Sequence, residues 1–194
     1  GTDTAFDEKM LKVGKRLVTK LYNAGKFVLS LPARPAPICF ELDLAFLEKL
    51  ARLVKSATLF MENFDFAAAL SQTEAFFWGS FTDTYIELVK ARAKGFGSSP
   101  KDSGVLEPGR SSAVNALRLA LKVLLRLFAP FLPFVTEEVW SWAFAHETGW
   151  RSINVAPWPA KEDFSGIEEA QDAESFPTAF SCLSAINKLK TQSS

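Results

Sequence analysis

The chain has 194 residues, 48% of them apolar, and its 22 Lys+Arg balance 22 Asp+Glu. It is long and apolar enough to bury a core, which excludes disorder throughout. Its neutrality excludes a globally basic protein but leaves room for a local basic patch.

The elements follow in chain order. The start, GTDTAFDEK, lacks an initiator Met and has no basic residue leading into an apolar stretch. It reads as part of a longer or processed chain, without a secretory leader. A first helix is expected from about Phe6 to Leu31, with Thr4 or Asp7 as its cap. The run PARPAP (Pro32–Pro37) then forms a stiff extended linker. A second helix is expected near Leu42 to Asn63, with Leu44, Leu47, Leu50, Val54 and Ala57 at helical spacing. Asn63 and Asp65 mark a turn or cap. A long third helix should run from about Phe66 to Lys94 and end at Gly95. The stretch GFGSSPKDSGVLEPG (Gly95–Gly109) reads as a mobile loop. A fourth helix should start near Ser111 or Ser112, with Val114, Leu117, Leu121, Leu124 and Phe128 on its core side. In LFAPFLPFVTEEVW, Pro130 should end that helix and Pro133 start the next, which runs from about Phe134 to His146. Phe131, Phe134 and Trp140 should fill this corner, with Glu137 and Glu138 in the new helix's first turn. Beyond Gly149, RSINVAPWP is short and β-prone, an acidic stretch follows, and Pro177–Lys190 forms a last helix. The fold class is therefore all-α. Residues 1–149 form an antiparallel helical bundle, and residues 150–194 a small mixed α/β appendage with a short strand and a final helix.

Several stretches invite a chemical reading. GVLEPGRSS (Gly104–Ser112) resembles a phosphate loop, but Arg110 stands where Lys belongs and no strand precedes it. His146 is the one histidine, so a multi-histidine metal site is excluded and a His-based triad would have to use it. Adjacent Glu137 and Glu138 do not form a facing carboxylate pair. No catalytic residue and no metal site is assigned. Cys39 and Cys182 lie far apart with no CxxC spacing, which fits a reducing, cytoplasmic setting. No apolar run is long enough to cross a bilayer. The aromatics of TEAFFWGSFTDTYIELVK are expected to be core, with Asp83 and Glu87 at the bundle edge.

The first helix is different. At about 100° per residue, Lys9, Lys12, Arg16, Lys20, Asn23 and Phe27 share a narrow arc. Val13, Leu17, Val18, Leu21, Tyr22 and Leu29 fill the other side. Lys15 and Lys26 flank the basic row, and no acid of the helix interrupts it. Like charges at i,i+4 cost stability unless an anion is near. Lysines contact phosphates, an amide reads a base edge, and a phenyl ring stacks on an unstacked base. A weaker basic row, Arg118, Lys122 and Arg126, lies on the fourth helix.

Four stretches, LYNAGKF, FFWGSFTDTYIELVKARAKG, LLRLFAPFLPFVTEEVW and SINVAPWP, occur in an order that resembles the anticodon-binding region of bacterial-type class I valyl-tRNA synthetases. The related isoleucyl and leucyl enzymes share the bundle, and YIELVKAR leans to the valyl branch. The resemblance implies a tRNA-binding module for valine tRNA at its anticodon stem-loop. It also implies a parent ligase that uses ATP and magnesium on a catalytic domain of the same chain. The signatures His-Ile-Gly-His and Lys-Met-Ser-Lys-Ser are absent here, so this chain is expected to bind tRNA without catalysis and without a cofactor of its own.

On this resemblance, Lys9, Lys12, Arg16 and Lys20 face phosphates, and Asn23, Lys26 and Phe27 lie near the anticodon bases. Arg118, Lys122 and Arg126 are candidates for stem contacts. Thr19, Tyr22, Gly25 and Lys26 replace the family's frequent Asn, Trp, Ser and Arg, and Lys26 lacks arginine's planar fork. Asp43-Leu44-Ala45-Phe46 replaces a frequent Asp-Arg-Trp, which removes any arginine contact from that site, and Ala129 replaces a frequent His. The rival readings are a helical scaffold whose basic face meets an acidic partner and, more remotely, a hydrolase built on the serine-rich loop and His146.

Overall fold

A computed structural model describes residues 8–95 and 108–192, with side chains from residue 11 to residue 191. Eight α-helices account for most of it: α1 (Glu8–Ser30), α2 (Glu41–Glu62), α3 (Phe66–Ala75), α4 (Ile86–Lys94), α5 (Pro108–Phe128), α6 (Pro133–Ser141), α7 (Phe144–Thr148) and α8 (Ser175–Gln192). A π-helical segment, Phe76–Tyr85, joins α3 to α4 without a break. No strand occurs among the described residues. The all-α bundle expected from the sequence is present, and the mixed α/β character expected of the tail is not. Ile153–Val155, where a strand was expected, is a single 3-10 turn, and Lys161–Phe164 is another. Ser152 caps the first turn by accepting from the Asn154 amide at 3.2 Å. Pro157 and Pro159 follow closely and cannot donate to a ladder.

α5 is the central rod. Val114, Leu117, Leu121, Leu124 and Phe128 are fully buried, and so are Ala113, Ala116, Ala120, Val123, Leu125 and Leu127. The burial extends around most of the helix because α1, α2, α3, α4 and α6 all pack against it. From α2 come Leu44, Leu47, Leu50, Val54 and Ala57, all buried as their spacing predicts. Phe46 stacks on Tyr85, with ring centroids 3.8 Å apart and planes 6° from parallel. Phe176, at the start of α8, closes that stack from the far end of the chain, 5.3 Å from Phe46. Asp65 caps α3 by accepting from the Ala68 amide, and Gly95 ends α4 in the left-handed conformation at φ 76°.

A buried polar cluster ties four elements together. Asp43, in the first turn of α2, is 0% exposed. Its Oδ1 accepts from Tyr85 Oη at 2.7 Å and Arg92 Nη2 at 2.6 Å. Its Oδ2 accepts from Arg92 Nη1 at 2.9 Å and Ser112 Oγ at 2.6 Å. Ser112 Oγ in turn accepts the amides of Cys39 and Phe40, which pins the end of the PARPAP linker. Burial works against the Arg92 charge, but the Asp43 hydrogen bonds and charge outweigh it and hold the guanidinium pKa above its ordinary value. Burial first, then the Asp43 charge and hydrogen bond, push the Tyr85 phenol well above its usual range. An arginine thus does meet Asp43. It arrives from α4 rather than from the next position in α2.

The corner at LFAPFLPFVTEEVW departs from expectation in three places. Pro133 opens α6 as expected, and Trp140 is buried. Phe134, however, is 89% exposed and fills nothing. Glu137 and Glu138 lie beyond the first turn, because α6 starts at Pro133. Glu137 Oε2 instead accepts from Ser152 Oγ and the Ile153 amide, anchoring the tail to α6. The helix expected to reach His146 is interrupted after Ser141, and α7 carries the exposed His146. The tail is then latched along the bundle. Trp158 Nε1 donates to Thr58 Oγ1, and the Ala170 and Asp172 amides donate to Glu48 and Glu41.

Candidate nucleic-acid interface

Helix α1 supplies the candidate surface. Its core face holds Leu17, Leu21, Ala24 and Val28, all buried. Gly25 lets it approach α6 closely: a Cβ there would lie 2.6 Å from a Val139 methyl. Residues 11–16 are all exposed, including Val13 at 47%, so the first turns project beyond the packed part of the bundle. Val13 was expected in the core. It shares the helical phase of buried Leu17 and Leu21, but among the described residues nothing covers it at that end of the helix.

On the outward face, Lys12, Lys15 and Arg16 are exposed, and among the described residues no acid pairs with them. Lys9 sits in the first turn, and its side chain lies outside the described residues, as do the expected caps Thr4 and Asp7. Lys20 is engaged: its Nζ lies 3.2 Å from Asp83 Oδ1 and 5.4 Å above the Trp78 ring. Lys12, Lys15, Arg16, Thr19, Lys20, Asn23 and Trp78 line one open groove of about 530 Å³. Asn23, at the groove's end, is exposed; past it, Lys26 Nζ lies 4.8 Å from the Tyr22 ring, and half-buried Phe27 has Lys94 Nζ 5.6 Å over its face.

The α5 row is differently placed. Arg118 pairs with Glu147 and lies over the Phe144 ring. Arg126 is buried, binds Asp163 Oδ1 at 2.5 Å and donates to the Pro157 carbonyl at 3.3 Å. Lys122 is half-buried between them; burial lowers its pKa, Asp163 and Glu147 oppose the shift, and Arg126 adds to it. Arg118 and Arg126 fasten α7 and the tail to the central rod.

Trp78, Asp83 and Lys94 join the surface without having been assigned to it. The cause is the π segment. In an α-helix, residues five apart diverge by about 140°, so 100° phasing separates Trp78 from Asp83. Bonding from i to i+5 brings them back into near register, and both meet Lys20. The one sequence signal is GSFTDT, a run of poor helix formers inside a long helical pattern. The phosphate-loop reading of Gly104–Ser112 falls partly outside the described residues. Within them, Pro108 already opens α5, and Ser112 is bonded to Asp43. Among the described residues no three His, Cys, Asp or Glu gather to hold a metal ion, and no helix is long and apolar enough to cross a membrane.

A model of the anticodon-binding domain of tRNA ligases matches residues 43–194. The chain belongs to that family. α1 precedes the matched span, but curated relatives extend over it. The chain is 43% identical to the valine–tRNA ligase of Thermobifida fusca, over 99% of its own length and 21% of the relative's. It is 46% identical to that of Salinispora arenicola over 89% of this chain and 19% of the relative, and 41% identical to that of Anaplasma marginale over 90% and 22%. The chain therefore spans about a fifth of the length of these relatives. Of its two basic rows, the one on α5 gives Arg118 to Glu147 and Arg126 to Asp163, and on α1 only Lys20 meets an acid, among the described residues.

Proposed function

We propose that the chain is the tRNA-binding module of a valine–tRNA ligase and that α1 is its main RNA-facing element. The carrying observation is the row Lys12, Lys15 and Arg16, exposed and without an acid partner among the described residues, on the helix that precedes the matched anticodon-binding span. These cations take phosphates, as does Lys9 at the head of the row. Lys20 joins them by exchanging Asp83 for a phosphate. Asn23, Lys26 and Phe27 take the unstacked anticodon bases, since an amide, a cation and a phenyl ring suit base edges, phosphates and base faces. Arg118 and Arg126, fastened to Glu147, Asp163 and the tail, contribute to shape rather than to stem contacts, with Lys122 half-buried between them. That these relatives are valine–tRNA ligases supports valine tRNA over the isoleucine and leucine alternatives. On this reading, ATP and magnesium act on a catalytic domain of the parent chain, whose site the residues described here do not fit.

Titration of a valine anticodon stem-loop at several salt concentrations tests the reading. The logarithm of affinity should fall with log salt by about 0.7 per single-strand phosphate neutralised. Arg16→Glu and Lys12→Glu should each weaken binding and flatten that slope by about one phosphate contact. Equal weak binding of the stem-loop and a scrambled hairpin, unaffected by either reversal, would overturn it in favour of a protein-facing scaffold.

A further inference from the structure

The cationic groove on α1 has an aromatic floor. Trp78 reaches it from the π segment and is half-buried, whereas its neighbours Phe77 and Phe81 are fully buried. The indole is held in place: Nε1 donates to Glu74 Oε1 at 3.2 Å, and Phe77 meets it edge-on at 5.9 Å. Lys20 Nζ sits 5.4 Å from the ring centroid. Asp83 holds Lys20 there at 3.2 Å and is itself steadied by Thr82 Oγ1 at 3.0 Å. A ring needed only for packing would be enclosed with Phe77. This one instead has part of its surface in a groove lined by four cations, one amide and one hydroxyl.

Such a groove matches one kind of occupant by charge and by shape. A single-stranded nucleotide carries an anion for the cations and a flat face for the indole. An acidic peptide would use the cations and leave the ring idle. Resting on the tRNA reading above, we propose that Trp78 is the floor of a subsite for one unpaired nucleotide, separate from Phe27, and that Asp83 is its resident competitor. The base stacks on the indole, and Lys20 turns from Asp83 to the nucleotide's phosphate. Until RNA arrives, the Asp83 carboxylate keeps Lys20 ordered over the ring. Afterwards, its uncompensated charge opposes the incoming phosphate. Asp83 therefore limits affinity, although it makes an ion pair and looks stabilising.

The test uses the whole chain and a valine anticodon stem-loop carrying 2-aminopurine at one loop position at a time. Trp78→Leu should lower affinity about tenfold and abolish the quenching of one position, while Trp78→Phe keeps most of both. Asp83→Asn should tighten binding at low salt by about two- to fivefold, and the gain should vanish in a Lys20→Met background. Wild-type affinity and quenching in a folded Trp78→Leu variant would overturn the subsite, as would weaker binding by Asp83→Asn. If Trp78→Leu does not fold, the Asp83→Asn and Lys20→Met pair decides. Arg16→Glu separates the two levels of argument. If it weakens binding while the Trp78 and Asp83 variants behave as wild type, the subsite alone fails. If Arg16→Glu changes nothing, the tRNA reading itself fails.

Discussion

Replacing Asp43 with Asn removes one charge and almost no volume, so its cost can be worked from four hydrogen bonds. The carboxylate accepts two at each oxygen, from Tyr85, Arg92 twice, and Ser112. An amide nitrogen cannot accept, so on the Oδ2 side it faces two donors, Arg92 Nη1 and Ser112 Oγ, and on the Oδ1 side it faces Arg92 Nη2 while the Tyr85 hydroxyl must turn round to accept. If its nitrogen takes the Oδ2 side, the Ser112 hydroxyl cannot rotate freely to help, because its oxygen already accepts two amides. Hydrogen bonds to charged groups contribute about 1.5–3 kcal/mol each, and breaking a buried ion pair costs about 3–5 kcal/mol. Losing the ion pair governs the total in either orientation, at roughly 3–5 kcal/mol. For a domain of this size, about 2–4 °C is lost per kcal/mol, so the melting temperature should fall by roughly 6–20 °C. Urea denaturation and thermal circular dichroism would measure it. Adding Arg92→Gln to Asp43→Asn should cost far less than Arg92→Gln alone, because both act on one network. A melting temperature within about 2 °C of the parent, or costs that simply add, would refute the network as the keystone of the α2, α4 and α5 junction.

Two further expectations concern stability. Pro133→Ala frees the chain at the opening of α6 and should cost about 0.4–1 kcal/mol, lowering the melting temperature by a few degrees with stem-loop affinity unchanged. A loss of affinity larger than the loss of stability would place that corner in the interface. The raised Tyr85 phenol sets a pH dependence. The folded state keeps the proton that the unfolded chain releases near pH 10, so this contribution is complete below about pH 10 and fades as pH rises above it. Subtracting the stability of Tyr85→Phe, measured by urea denaturation from about pH 8 to 11, should isolate that decline. An identical decline in both proteins would assign it elsewhere.

Much of the bundle was legible because apolar spacing is a local signal. Leu44 through Ala57 and Val114 through Phe128 are buried where 100° phasing puts them, and Asp65 and Gly95 cap helices as their chemistry suggests. Phase gives direction, not reach: Val13 shares the phase of Leu17 and Leu21 yet is exposed, whereas Phe134 lies on the side of α6 away from buried Thr136, Val139 and Trp140. The strand expected at residues 151–159 was judged from β-prone residue types, and a serine cap with two prolines outweighed them. Charge patterning revealed the α1 row but treated its helix alone. It could not see Asp83 coming to Lys20, or Asp163 and Glu147 taking up Arg126 and Arg118. Those partners are distant in sequence, and for Asp83 the π segment also changes the phase on which the estimate relied.

Phe176 adds a constraint on how the chain acquires this shape. During synthesis Phe46 and Tyr85 can pair as soon as α4 has emerged, but the ring that covers them belongs to the final helix. Until residue 176 has left the ribosome, a face of that aromatic stack stays open to water and to other nascent chains. Contacts of such sequence separation close late, and exposed aromatic surface in the interval favours association. The last helix thus works as a lid on folding. Its truncation should show up first as loss of soluble yield during expression.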